Sequence, residues 1–66
     1  MLGNYKEAIQ DYNKAIALDP DYSLLYYYRG NAKIELELID EGCLDLSKAG
    51  ELGMESVYET IRERCR

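Results

Sequence analysis

Nucleophilic and general acid–base catalysis usually rest on a base held near a nucleophile, and this 66-residue chain contains no histidine. Ser-His-Asp and Cys-His arrangements are therefore impossible. Its 13 acidic side chains could in principle act as paired acids and bases, but they fall on the polar positions of amphipathic segments. There a carboxylate is simply a solvated charge. The two cysteines, Cys43 and Cys65, do not have metal-ligand spacing and have no histidine to complete a set. Cys43 lies on a stripe with Ile39, Leu46 and Ala49, which reads as a buried structural thiol rather than a nucleophile. The favoured reading is two reduced thiols in a cytoplasmic protein; a disulfide tying the last helix to the one before it stays open. No glycine-rich loop follows a strand, so no phosphate cradle is present. The expectation is no enzyme, no metal and no cofactor, which leaves binding.

The elements that would position binding residues recur. Slid against itself by thirty-four positions, the chain places Leu2 on Leu36, Glu7 on Glu41, Asp11 on Asp45, Lys14 on Lys48, Ala15 on Ala49 and Leu18 on Leu52. A fixed period of this size marks stacked supersecondary units, each with an apolar face it cannot bury alone. The first copy predicts a helix from about Asn4 to Leu18, because Tyr5, Ala8, Ile9, Tyr12, Ala15 and Ile16 keep three-and-four spacing. Asn4 with Glu7 reads as a capping box, and Asp19-Pro20 stops the helix. A second helix runs to about Leu36, with Leu25, Tyr28, Ala32 and Leu36 towards the core. A third runs from about Asp40 to Ala49 with Ile39, Cys43, Leu46 and Ala49 inward. A fourth runs from about Met54 to Cys65 with Met54, Val57, Tyr58, Ile61 and Cys65 on one face, and Arg62, Arg64 and Arg66 among its wet residues.

The run Gly3 to Pro20, Gly-x-Tyr-x-x-Ala-x-x-x-Tyr-x-x-Ala-x-x-x-x-Pro, resembles the second half of a tetratricopeptide repeat. The next unit matches through Tyr26, Gly30 and Ala49, with Gly42 at a position usually Ala. The resemblance implies an all-α fold of antiparallel helix-turn-helix repeats, an α-solenoid of about four helices. Residues 1–22 would be the second helix of a truncated repeat, 23–53 a further repeat and 54–66 a cap helix. It implies close contact of two helices at Gly30, with Gly42 opposite. It also puts Glu37 where the first copy has Gly3, in a turn that favours left-handed backbone, at a cost of roughly 1 kcal/mol for Glu. Fusion of the second and third helices across Leu36 to Asp40 is the alternative.

Length and charge bound the rest. A chain this short buries only about 60% of its unfolded surface, so one small domain with a thin core is expected. A net charge of −5 argues against a nucleic-acid partner. No apolar run is long enough to span a membrane. Seven Tyr with neither Phe nor Trp suit half-buried positions with wet hydroxyls. Arg29 has five donors that need an acid or carbonyls, and the sequence does not say which.

The resemblance implies a protein or peptide partner, held by the first helix of a unit: Leu24, Tyr27, Asn31, Ile34 and Glu35, which share one side of the second helix. The bland reading is that Leu24, Tyr27 and Ile34 merely pack on the fourth helix or on a second chain. Within the family, a clamp for a C-terminal carboxylate needs lysines that are absent here; only Asn31 matches. The competing class is self-association. Met1–Gly3 reads as the tail of a helix not in this chain, so Tyr5, Ile9, Tyr12 and Ile16 would stand partly bare. They would be covered by a second copy as a homodimer, or by neighbours in a longer repeat array.

Overall fold

Residues 4–65 are described by a computed structural model, and they form four α-helices with no strand among them. Met1–Gly3, with the turn read there, and Arg66 lie outside the described residues. Helix α1 spans Tyr5–Leu18, α2 Ser23–Glu35, α3 Ile39–Glu51 and α4 Val57–Arg64. Successive helices pack against one another in chain order, an antiparallel helix-turn-helix arrangement.

Local sequence explains most of the boundaries. Asn4 sits at the head of α1, and its Nδ2 donates to Glu7 Oε1 at 2.9 Å. The anticipated capping box is thus altered: the two side chains bond each other, and Asn4 makes no side-chain bond to the backbone. Asp19, before Pro20, closes the helix with its N–H on the carbonyls of Ala15 and Ile16. Two later turns use one device. Glu37 N–H reaches Ile34 O at 2.8 Å and Leu38 N–H reaches Lys33 O at 2.9 Å; Gly53 N–H reaches Gly50 O at 3.0 Å and Met54 N–H reaches Ala49 O at 3.1 Å. These are paired Schellman bonds, and each needs a left-handed residue after the cap. That residue is Glu37 at φ 66° in the first turn and Gly53 at φ 110° in the second. The turn at Glu37 is therefore closed, and the continuous-helix alternative is corrected.

The α2–α3 crossing sets the core. A Cβ on Gly30 would stand 2.7 Å from Gly42 O, and one on Gly42 would stand 2.6 Å from both Gly30 O and Ile34 Cγ1. Only hydrogen fits at either position. Leu46, Ala49 and Val57 are fully enclosed, with Tyr26 and Ile34 packed against them. Tyr26 reaches through this layer, and its hydroxyl donates to Pro20 O at 2.8 Å. The expected inward face of α2 holds at Ala32 and is corrected at Tyr28. The helix buries Tyr26, Gly30, Ala32 and Ile34, while Tyr28 is 46% exposed. Residues 24 to 28 are all apolar, so their spacing carries no phase. Contact at Gly30 turns Tyr26 and Ile34, one turn either side, inward. Ile39 is likewise exposed rather than inward.

Helix α4 is shorter than expected. Residues from Met54 to Ser56 form the turn that delivers Val57 to the core. Tyr58 stays half-exposed and covers Gly50, where a Cβ would stand 2.6 Å from the ring. The favoured reading of separate reduced thiols is corrected too: Cys43 and Cys65 are joined in a disulfide, with Cα atoms 5.9 Å apart, inside the range such a bond needs. Among the described residues, no helix is long and apolar enough to cross a membrane.

Candidate interaction site

Two neighbouring surfaces collect the residues singled out in the sequence. The first is the outer side of α2. Leu24, Tyr27 and Asn31 are partly exposed there and Glu35 is exposed. Ile34 is not part of it: at 7% exposure it fills the α2–α3 crossing against the face of Gly42, a correction that follows from the phase of α2. Asn31 is oriented by its own helix, Nδ2 donating to Tyr27 O at 3.1 Å, which presents Oδ1 outward. That oxygen accepts from Arg64 Nη1 at 2.9 Å, and Arg64 Nη2 donates to Glu35 Oε2. The last turn of α4 thus crosses onto the α2 surface. In the sequence Arg64 reads only as a wet residue, its sole signal being a cation in a last helical turn. Cys65, one residue on, carries the disulfide to α3.

The second surface is an open cleft of about 320 Å³ between α1 and α2, bounded by Tyr5, Ala8 and Tyr12 on one side and Tyr28, Asn31 and Ala32 on the other. Tyr12 and Tyr28 stack across it with ring centroids 6.0 Å apart. Asn31 is shared by both surfaces. Of the four α1 residues expected to stand bare, Tyr5 and Tyr12 line this cleft, Ile9 is partly exposed, and Ile16 packs against the core cluster. No residue of α1 is fully buried.

A third polar group is structural. Arg29 Nε and Nη2 each donate to Asp45 at 2.8 Å, Nη1 donates to Asn13 at 2.8 Å, and Lys33 Nζ stands 3.4 Å from Asp45. Arg29 also lies over the Tyr26 ring, 5.5 Å from its centroid. Hydrogen bonding to Asp45 holds the guanidinium's pKa above its ordinary value, against the opposing effect of burial. The cluster ties α1, α2 and α3 together, through an exposed bond at Asn13 and an enclosed pair at Asp45. Among the described residues no group of three or more His, Cys, Asp or Glu side chains is placed to hold a metal ion.

A family model described as TPR repeat matches residues 2–36. The chain is also similar to a Protein SGT1 homolog of Oryza sativa subsp. japonica, 56% identical over 36 residues, which is 54% of this chain and 10% of that protein. The chain thus spans about a tenth of that relative's length. No solved structure matches it.

Proposed function

The chain belongs to the TPR repeat family, whose members are protein-interaction modules, and from that footing we propose that it holds a peptide or protein segment along the outer side of α2 without catalysing a reaction. In this reading α1 acts as the second helix of one unit, α2 and α3 as the next unit and α4 as the closing helix. One observation carries the reading. Leu24, Tyr27, Asn31 and Glu35 lie along one side of α2, with Glu35 exposed, the other three partly exposed, and Tyr27 also packed against the hydrophobic core. They offer apolar surface, an aromatic ring, an amide and an acid on a rigid element. The net charge of −5 disfavours a nucleic acid as the partner.

Selection of a displayed random-peptide library against the chain tests this. Enriched peptides should bind at micromolar affinity and weaken at least tenfold, about 1.4 kcal/mol, on Tyr27→Ala or Leu24→Asp. Peptides indifferent to both substitutions, or none enriched, would sink the reading.

A second reading is favoured by the fact that α1 fully buries no residue. Here a second copy, or a neighbouring repeat of a longer array, covers Tyr5, Ile9 and Tyr12. Self-complementary twofold contacts are the commonest way to close such a face. Sedimentation at high micromolar concentration should show a dimer that Ile9→Glu disperses. A monomer with α1 fully helical would remove the homodimer.

A further inference from the structure

We infer that Asn31 and Glu35 form a seat for the guanidinium group of an arginine on a protein partner, and that Arg64 is a built-in occupant which the partner must displace. The inference rests on the reading of the α2 side as an interaction surface and names the chemistry that surface selects. The two acceptors lie one helical turn apart. A guanidinium can bridge them because its nitrogens diverge in a planar fork, whereas a lysine ammonium offers a single compact charge. Arg64 shows this fit, with one terminal nitrogen on the Asn31 amide oxygen and the other on the Glu35 carboxylate. The Asn31 half of the seat does not depend on the occupant for its orientation. Asn31 is fixed by its bond to Tyr27 O, and Glu35 lies in the last turn of the same helix.

Two further observations make the occupant exchangeable. The Arg64 and Glu35 side chains are 32% and 42% exposed, against 18% and 10% for Arg29 and Asp45. Water reaches the first pair, so its net strength is small, while the second is enclosed. Arg64 is also the last residue of α4, and its chain neighbour Cys65 is bonded to Cys43 on α3. The disulfide keeps the end of α4 beside α2. A dithiol reductant breaks that bond: the two sulfurs take up two electrons and two protons to become thiols, and the dithiol closes to its own disulfide. The last turn of α4 is then untethered and Arg64 leaves the seat more readily. Charge complements the assignment, since a chain of net charge −5 attracts a cationic partner.

The test uses the whole 15N-labelled chain, with N-acetyl-arginine methylamide as the probe and its neutral citrulline counterpart as the control. The readout is the Asn31 side-chain amide resonance. The arginine probe should shift it and the citrulline probe should not. Arg64→Ala should tighten binding about fivefold, the worth of an exposed ion pair, and Glu35→Gln should abolish it. Reduction of the unaltered chain, read below its melting temperature, should move the affinity towards that of Arg64→Ala. Equal affinity with and without Arg64, an equal response to citrulline, or indifference to Glu35→Gln would overturn the seat. A reduced, still helical chain that binds no tighter than the oxidised one would overturn the tether. Library peptides that need Tyr27 but ignore Glu35→Gln and Arg64→Ala would overturn this inference and leave the interaction reading standing.

Discussion

Asp45 is buried at 7% exposure, and its charge is met by Arg29 on both carboxylate oxygens at 2.8 Å and by Lys33 at 3.4 Å. Sequence reasoning marked Arg29 as a residue needing an acid but could not say which. The partner lies sixteen positions away, across a helix crossing whose rotation is not written in apolar spacing. Removing one member of an enclosed pair strands the other, whereas removing both can be nearly neutral. Arg29→Met should therefore cost about 2–4 kcal/mol, read by chemical denaturation, with Lys33 at 3.4 Å softening the loss. Arg29→Met with Asp45→Leu should recover most of it. A double variant as unstable as the single one would show that Arg29 acts through its packing on Tyr26 instead. The pair brings no pH dependence from its arginine near neutrality. Hydrogen bonding to Asp45 raises the folded-state pKa of Arg29, so its contribution is full below the unfolded value and fades only as pH climbs through the higher, folded one.

At the scale of the element, the turns were more legible than the helix faces. The thirty-four-residue register puts Glu37 on Gly3, in a turn that favours left-handed backbone, with a fused helix as the alternative; the structure has the turn, with Glu37 at φ 66°. The face of α2 was illegible because five consecutive apolar residues fit any phase, and Gly30, not hydrophobicity, decides which side turns inward. The consequence for the candidate site is direct: Ile34 moves to the core, Tyr27 packs against its edge while staying partly exposed, Asn31 is partly exposed, and Glu35 stays outside. Two substitutions at glycine-sensitive positions should have opposite signs. Glu37→Gly relieves the left-handed penalty, roughly 1–2 kcal/mol for an L-residue, and gives part of it back through the freer unfolded chain. A net gain of about 0.5–1 kcal/mol should appear as a higher melting temperature. Gly42→Ala gains helix propensity of about 1 kcal/mol, but places a methyl 2.6 Å from Gly30 O. Backbone cannot move aside as a flexible side chain can, so overpacking of about 1–3 kcal/mol should prevail and the melting temperature should fall. A neutral Gly42→Ala would show that the two helices do not approach this closely.

For the molecule as a whole, the resemblance to a tetratricopeptide repeat implied the antiparallel packing of the helices that the structure has. It could not foretell how the fourth helix is held, since sequence gives no distance between Cys43 and Cys65. Helix α4 has only 8 residues, too few to persist alone in water. It is retained by Val57, which is fully buried, by the reach of Arg64 to α2, and by the disulfide. The first is apolar burial worth roughly 1.5–3 kcal/mol, and the second is an exposed pair worth less than about 1 kcal/mol. The bond spans a separation of 22 residues, and a loop of that size contributes roughly 3 kcal/mol by limiting the unfolded chain. A domain of this length has only about 3–10 kcal/mol in total, so the bond is a large share of its stability. Reduction should lower the melting temperature by roughly 10–20 °C. Under reducing conditions, hydrogen exchange should accelerate first at the amides of α4, while those of α2 and α3 around the Gly30–Gly42 crossing stay protected longest. A melt unchanged by reductant, or loss of protection in all four helices together, would show that packing holds α4 without the disulfide or that the chain has a single cooperative unit.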